Sequence, residues 1–171
     1  MVGFTLASAG IATVAVLLAL SAFFSSSETA IFSLPPEWFE QEAATDDSRA
    51  HVLKKLRDDP HRLLVTLLVG NNVVNIAISS IVTVLIASYL PSGSAIVVTT
   101  VLTSFLVLVF GEIVPKAFGL GNAETWSLTV ALPIRAVERI LSPLISLFDV
   151  ITRRMNALIS GDSGIEKPYT D

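Results

Sequence analysis

Apolar and polar residues fall in long blocks along this chain. From about Phe4 to Leu34 the sequence is mainly apolar, and its polar residues are concentrated in its second half. A second block runs from about Leu63 to Leu90 and a third from about Ala95 to Val114. Each approaches or exceeds the ~20 mainly apolar residues that cross a bilayer as a helix. Pro35-Pro36 is expected to end the first, Pro91-Ser92-Gly93 the second and Pro115 the third. Proline lacks the N–H that continues a helix and restrains the residue before it. The turn at Pro91 is short, which predicts antiparallel packing of the second and third spans.

The connectors read differently. Glu37 to Arg62 is rich in both charges and predicts short juxtamembrane helices over about 37–62. Trp126 to Ile159 is apolar, but Arg135, Glu138 and Arg139 interrupt it and Pro133 and Pro143 break it. No uncharged window there reaches spanning length. Over about 123–159 we therefore expect two or three amphipathic helices lying in the membrane interface; a fourth span is the alternative. The pattern predicts an all-α integral membrane domain over 1–160. Residues 161–171 form a polar tail or linker. No internal repeat is seen.

The distribution of positive charge orients the spans. Arg49, Lys54, Lys55, Arg57 and Arg62 lie between spans one and two. Lys116, Arg135, Arg139, Arg153, Arg154 and Lys167 follow span three. None precedes span one or joins spans two and three, so all 11 fall on one side. The expected topology is multi-pass in the plasma or inner membrane, N-terminus outside and C-terminus cytoplasmic. A fourth span would put the C-terminus outside and spoil this asymmetry. The basic start of a cleaved secretory signal is missing, so the first span is expected to be retained.

Composition narrows the function classes. The chain is 52% hydrophobic and 15% charged with mean hydropathy +0.70, the balance of a membrane protein. Net charge is -4 and no basic patch with interleaved aromatics occurs, which argues against nucleic acid. There is no cysteine, so disulfides and thiolate metal sites are excluded. His51 and His61 both lie in a polar connector, which makes zinc improbable. There is neither a phosphate-cradling glycine loop nor a Ser-His-Asp constellation, so no enzyme is expected.

The chemistry sits on polar residues within the spans. Span one carries Ser25-Ser26-Ser27-Glu28, and helical spacing puts Ser21, Ser25 and Glu28 on one face. A lone serine in such a helix usually bonds back to the carbonyl one turn earlier. Three in a row beside a glutamate need more explanation, and local unwinding is one. Span two carries Asn71, Asn72 and Asn75, with Asn71, Asn75 and Ser79 one turn apart. Asparagines can simply glue membrane helices together, but amide oxygens are also good hard-cation ligands. Span three ends in Gly111-Glu112-Ile113-Val114-Pro115-Lys116. Glu112 is an ionisable group at the edge of a span, costly unless paired. Pro115 deprives the carbonyl of Gly111 of its helical partner, as in the broken-helix ion sites of transporters. An ion pair between Glu112 and Lys116 is the plainer reading. The donors are all oxygen, which suits Mg²⁺, Ca²⁺ or Na⁺ rather than zinc or copper.

Three ordered motifs carry a resemblance: Phe24-Ser25-Ser26-Ser27-Glu28-Thr29-Ala30, Gly70-Asn71-Asn72-Val73-Val74-Asn75 and Gly111-Glu112-Ile113-Val114-Pro115-Lys116. Together they resemble the transmembrane domain of the CorC/CNNM (cyclin M) magnesium transporters over roughly Phe4 to Phe118. The resemblance implies three spans per subunit, a homodimer, and Mg²⁺ export coupled to Na⁺ entry. It implies ion ligands at Ser25, Asn71, Asn75 and Glu112, with Ser26, Glu28 and Asn72 as second choices. Members usually continue into a cytoplasmic pair of CBS modules, so this chain is expected to be the membrane domain alone.

The leading expectation is a Mg²⁺ transporter working by alternating access. A membrane anchor and dimerisation module for a cytoplasmic magnesium or nucleotide sensor is the alternative, with the polar residues as helix glue. A passive cation channel is a third; the short outer loop with no acidic ring argues against a channel mouth.

Overall fold

A computed structural model describes residues 2–159, and every regular element among them is helical. α1 (Val2–Ser33) is followed by two short helices, α2 (Pro36–Ala43) and α3 (Ser48–Arg57), and then by α4 (Pro60–Ala87). α5 (Ser92–Leu106) runs into a π-helical stretch, Val107–Ile113, which continues directly as α6 (Val114–Gly121). α7 (Ala123–Ile159) completes the described chain. Three segments are long and apolar enough to cross a membrane: Ala7–Ser33, Pro60–Ala87 and Ser92–Gly121. The fold is therefore all-helical with three candidate spans, as the blocks predict. The expected polar tail, 161–171, lies outside the described residues.

Local chemistry explains where the helices start. Asp59 precedes Pro60, and its Oδ1 accepts from the Arg62 N–H at 3.0 Å, so α4 begins with a capped, proline-compatible first turn. Asp47 does the same for α3, accepting from the Arg49 N–H at 2.8 Å. The Arg49 guanidinium also pairs with this carboxylate at 2.6 Å, which holds Asp47 below the usual carboxylate range.

α1 and α4 end before Pro35 and Pro91 as expected, but three later prolines behave otherwise than the sequence suggests. Pro115 does not end the third helix. The backbone has already widened to the π register, with the Val114 N–H bonded to the Val109 carbonyl five residues back, and the helix runs on to Gly121. Pro133 and Pro143 likewise lie inside one 37-residue helix, where two or three shorter ones are expected. Both prolines face outward, while Val130, Ala131, Ile134 and Ile145 are buried. A proline costs about 3 kcal/mol in a helix interior. Burial of Val130, Ile134 and Ile145, at ~1.5–3 kcal/mol each, is of the same order as the cost of both prolines.

Two layers of packing position the site. Within the spans α1 is central, packing on α4, on the π stretch and on α6. Phe24 and Ile31 of α1 and Leu67, Val74 and Ile78 of α4 are buried there. At the end of the bundle where α1 finishes and α4 begins, α2, α3 and α7 form a belt around Leu53, Leu56, Leu63 and Ile134. This belt end carries the described arginines and lysines. The opposite end carries the 88–91 turn between α4 and α5. Large apolar side chains such as Ile76, Val84, Ile96 and Val101 are exposed, as suits a surface facing lipid.

Close helix approach depends on glycine, at Gly70 and Gly119 among others. A Cβ on Gly70 would lie 2.6 Å from the ring of Phe24, so α4 can sit this near α1 only without one. A Cβ on Gly119 would run into the backbone carbonyl of Ser26. Small residues at such crossings are the usual means of tight packing in membranes.

Candidate functional site

The polar centre of the bundle lies where α1, α4 and the π stretch meet. Ser21 is fully buried on α1. Its Oγ lies 3.0 Å from Asn71 Oδ1 and 2.8 Å from Asn75 Oδ1, both on α4. Asn71 and Asn75 share a face because one helical turn separates them. Three oxygens thus converge, and the only proton among them is that of the serine hydroxyl, which has one hydrogen to donate. The lone pairs left over make an electron-rich knot suited to a hard cation.

The π stretch brings the third element. Gly111 is buried, and a Cβ there would lie 2.6 Å from Ser21 Oγ, so its backbone rests directly on the knot. A carbonyl is also left over here. The Val114 N–H is used on Val109, and the next position, Pro115, has no N–H. The carbonyls of Phe110 and Gly111 therefore stand where the ladder is interrupted. Glu112, the next residue, is half-buried, and its carboxylate has no hydrogen bond or ion pair among the described residues. π-Helical segments of this kind recur at functional sites.

Each residue singled out in the sequence has a definite place. Asn71 and Asn75 meet at Ser21, and Glu112 stands beside Gly111. Ser25 is fully buried with no partner for its Oγ. Ser26 bonds back to the Ala22 carbonyl at 2.6 Å and accepts from the Trp126 indole N–H at 3.0 Å, so it ties α7 to α1. Ser27 bonds back to Phe23 at 2.6 Å. Glu28 faces Lys116, 3.6 Å away; this is the lysine that the plainer reading gave to Glu112. Asn72 is exposed, 100° around the helix from Asn71, and is not brought to the knot. α1 runs unbroken through the serines, so the local unwinding does not occur.

Sequence reasoning passes over two features. Ser21 shares the face of Ser25 and Glu28, yet it stands apart from the serine triplet and so is not chosen as a ligand. The second is the pairing of Glu138, 8% exposed in its side chain, with Arg62 and Arg135. Arg62 also reaches Ser142 Oγ at 3.0 Å. These contacts fasten α7 to the start of α4. The charges that seemed merely to interrupt an apolar stretch are the joint of the belt. Among the described residues no group of three or more His, Cys, Asp or Glu is placed to hold a metal. Any ion must therefore rest largely on neutral oxygen.

Residues 11–171 match the family described as the cyclin M transmembrane N-terminal domain. A chloroplastic DUF21 domain-containing protein of Arabidopsis thaliana is 34% identical over 155 residues, covering 91% of this chain and 23% of its own length. A UPF0053 protein of Haemophilus influenzae is 33% identical over 144 residues, covering 84% of this chain and 34% of its own. The UPF0053 inner membrane protein YfjD of Escherichia coli is 30% identical over 136 residues, 80% of this chain and 32% of its own. The chain thus spans roughly a quarter to a third of these three relatives. With three apolar spans and a match that takes in all three polar motifs, this chain belongs to the CorC/CNNM (cyclin M) family of membrane proteins, as its transmembrane domain.

Proposed function

We propose that this domain carries Mg²⁺ across the membrane, exporting it by alternating access against Na⁺ entry, as a homodimer with the belt end in the cytoplasm. The observation that carries the reading is the Ser21–Asn71–Asn75 knot, three oxygens with one hydrogen, pressed against Gly111 at an interrupted helix. The serine hydroxyl has one proton for two amide oxygens, so lone pairs are left over for a cation. Asn71, Asn75 and Ser21 supply neutral oxygen, the carbonyls at the interruption add more, and Glu112 supplies the charge. Ser25, buried and unpartnered one turn from Ser21, is a further donor.

The test is Mg²⁺ flux in proteoliposomes, with and without a Na⁺ gradient, for the wild type, Glu112→Gln and Asn75→Ala. Na⁺-dependent flux that both substitutions abolish, with the fold intact by circular dichroism, supports the reading. Normal export by both variants removes the site. Absence of flux with Mg²⁺-dependent thermal stabilisation that Glu112→Gln loses would favour the anchor of a cytoplasmic sensor.

A further inference from the structure

The seam between α4 and α5 is lined with hydroxyls that the knot does not use. Ser79 and Thr83 on α4 and Thr99, Thr100, Thr103 and Ser104 on α5 border a groove of about 250 Å³ that is open to the surface, with Thr99 and Thr103 buried at its floor and the other four exposed. A second, shallower groove of about 320 Å³ is bordered by Asn75, Thr103, Ser104, Val107 and Leu108. Thr103 and Ser104 belong to both, so the hydroxyl lining continues from Thr83, about one turn before α4 ends at Ala87, to Asn75 beside the knot. The length of α4 from Thr83 to Asn75 is about 12 Å at 1.5 Å per residue.

Two of these hydroxyls do not behave as hydroxyls facing lipid do. Thr83 bonds back to the Ser79 carbonyl at 2.7 Å and Thr100 to that of Ile96 at 2.9 Å, the usual way such groups satisfy themselves. Thr99 and Thr103, one turn apart, are 5% and 8% exposed, and neither Oγ1 has a partner. A buried polar group in a membrane is costly without a partner. Each groove has room for several waters at the ~30 Å³ apiece of the liquid, and the hydroxyls along it can hydrogen-bond them. No carboxylate borders either one. Neutral hydroxyls can hydrate a passing cation without trapping it.

We propose that the α4–α5 seam is a water-filled half-passage linking the turn end of the bundle to Asn75, through which a hydrated cation reaches or leaves the knot from the outer side. Its cargo and the outward position of the turn end rest on the transport reading above; its water does not.

The chain has no cysteine, so single cysteines can report on water directly. Thr99→Cys and Thr103→Cys are treated in right-side-out and inside-out membrane vesicles with a membrane-impermeant cationic methanethiosulfonate. Val97→Cys and Val101→Cys, at 62% and 66% exposed positions of α5, serve as lipid-facing controls. A membrane-permeant maleimide confirms that each thiol is present and each variant inserted. In right-side-out vesicles the threonine positions should react at least roughly tenfold faster than the controls, because a charged reagent is excluded from hydrocarbon. Equal, slow rates at all four positions overturn the passage, and so does reaction in inside-out vesicles alone. Cross-linking of Thr100→Cys between two copies with no labelling of Thr99→Cys also overturns it, giving the seam to a subunit contact. A dry seam in a chain whose Mg²⁺ export still depends on Glu112 would remove this passage and leave the transport reading standing.

Discussion

The hydroxyl of Ser21 lies 2.8 Å from Asn75 Oδ1 and joins the first span to the second at the buried centre of the bundle. The same hydroxyl is 3.0 Å from Asn71 Oδ1, so a single proton serves two amide oxygens. Ser21→Ala removes that proton and one of the three oxygens. The net stability cost should be small, about 0.5–1.5 kcal/mol for a shared neutral hydrogen bond. The effect on ion binding should be much larger. Mg²⁺-dependent thermal stabilisation is the measurement; an unchanged Mg²⁺ response in Ser21→Ala would show that the knot is helix glue.

Gly111 offers a sharper test of the same contact. A methyl there would meet Ser21 Oγ at 2.6 Å and Ser21 Cβ at 3.3 Å. Gly111→Ala should destabilise the domain by about 1–3 kcal/mol, the usual range for overpacking. Removing the hydroxyl removes the worse of the two clashes. In the double variant Ser21→Ala/Gly111→Ala, part of the stability should therefore return, a coupling that a thermal-melt double-mutant cycle reads directly. Strict additivity would mean that the two residues do not meet.

Two other glycines at helix contacts should rank by what stands in the way. At Gly119 a methyl would run into the backbone of Ser26, which cannot turn aside. At Gly10 it would meet only the end of the Leu85 side chain, which can change rotamer. Gly119→Ala should fall at or above the top of the ~1–3 kcal/mol overpacking range, and Gly10→Ala near or below its bottom. Gly119→Ala should also shift the fluorescence of Trp126, whose indole donates to Ser26 Oγ. Melting curves of the two variants in detergent check the order, and reversal of it would place α6 farther from α1.

The two acidic residues within the spans should differ sharply. Glu28 has Lys116 for company at 3.6 Å, with 45% of the lysine side chain exposed, a pair worth about 0–1 kcal/mol. Glu112 has no partner among the described residues and stands next to Gly111. Glu112→Gln should abolish Mg²⁺-dependent stabilisation, whereas Glu28→Gln should retain most of it. Equal losses would move Glu28 from the supporting frame into the ion site.

Much of this arrangement can be read from the sequence, and the reasons for the exceptions are specific. Three apolar blocks announce three spans because a bilayer sets their length. Asn71 and Asn75 announce a shared face because helical spacing is fixed. Helix ends at proline are less legible. Pro115 follows a stretch already wound to the π register, and Pro133 and Pro143 face away from the packed side of α7, so none of the three stops its helix. Ser21 escapes notice because its role comes from α4, 50 residues away in the chain, rather than from its neighbours. Glu138 escapes for the same reason, since its partner Arg62 is 76 residues distant.

That distant pairing makes the last prediction. Glu138 is the single buried acid to which Arg62 of α4 and Arg135 of α7 both donate, and Arg62 extends the joint to Ser142. Glu138→Gln keeps the size of the side chain but removes its charge, leaving two arginines to compete for one neutral oxygen. Because the arginine side chains are 30% and 37% exposed, water relieves part of the loss. The expected cost is about 1.5–3 kcal/mol, the range for hydrogen bonds to charged groups. Arg62→Lys should not restore the joint, since an ammonium cannot span Glu138 and Ser142 as a guanidinium fork does. The loss should appear locally. Hydrogen exchange should rise at the start of α4 and along α7 around Glu138, while α5 and the π stretch stay protected. Exchange that rises evenly through all three spans would mean that the belt and the spans unfold together, and that this joint holds the ion site as well as the belt.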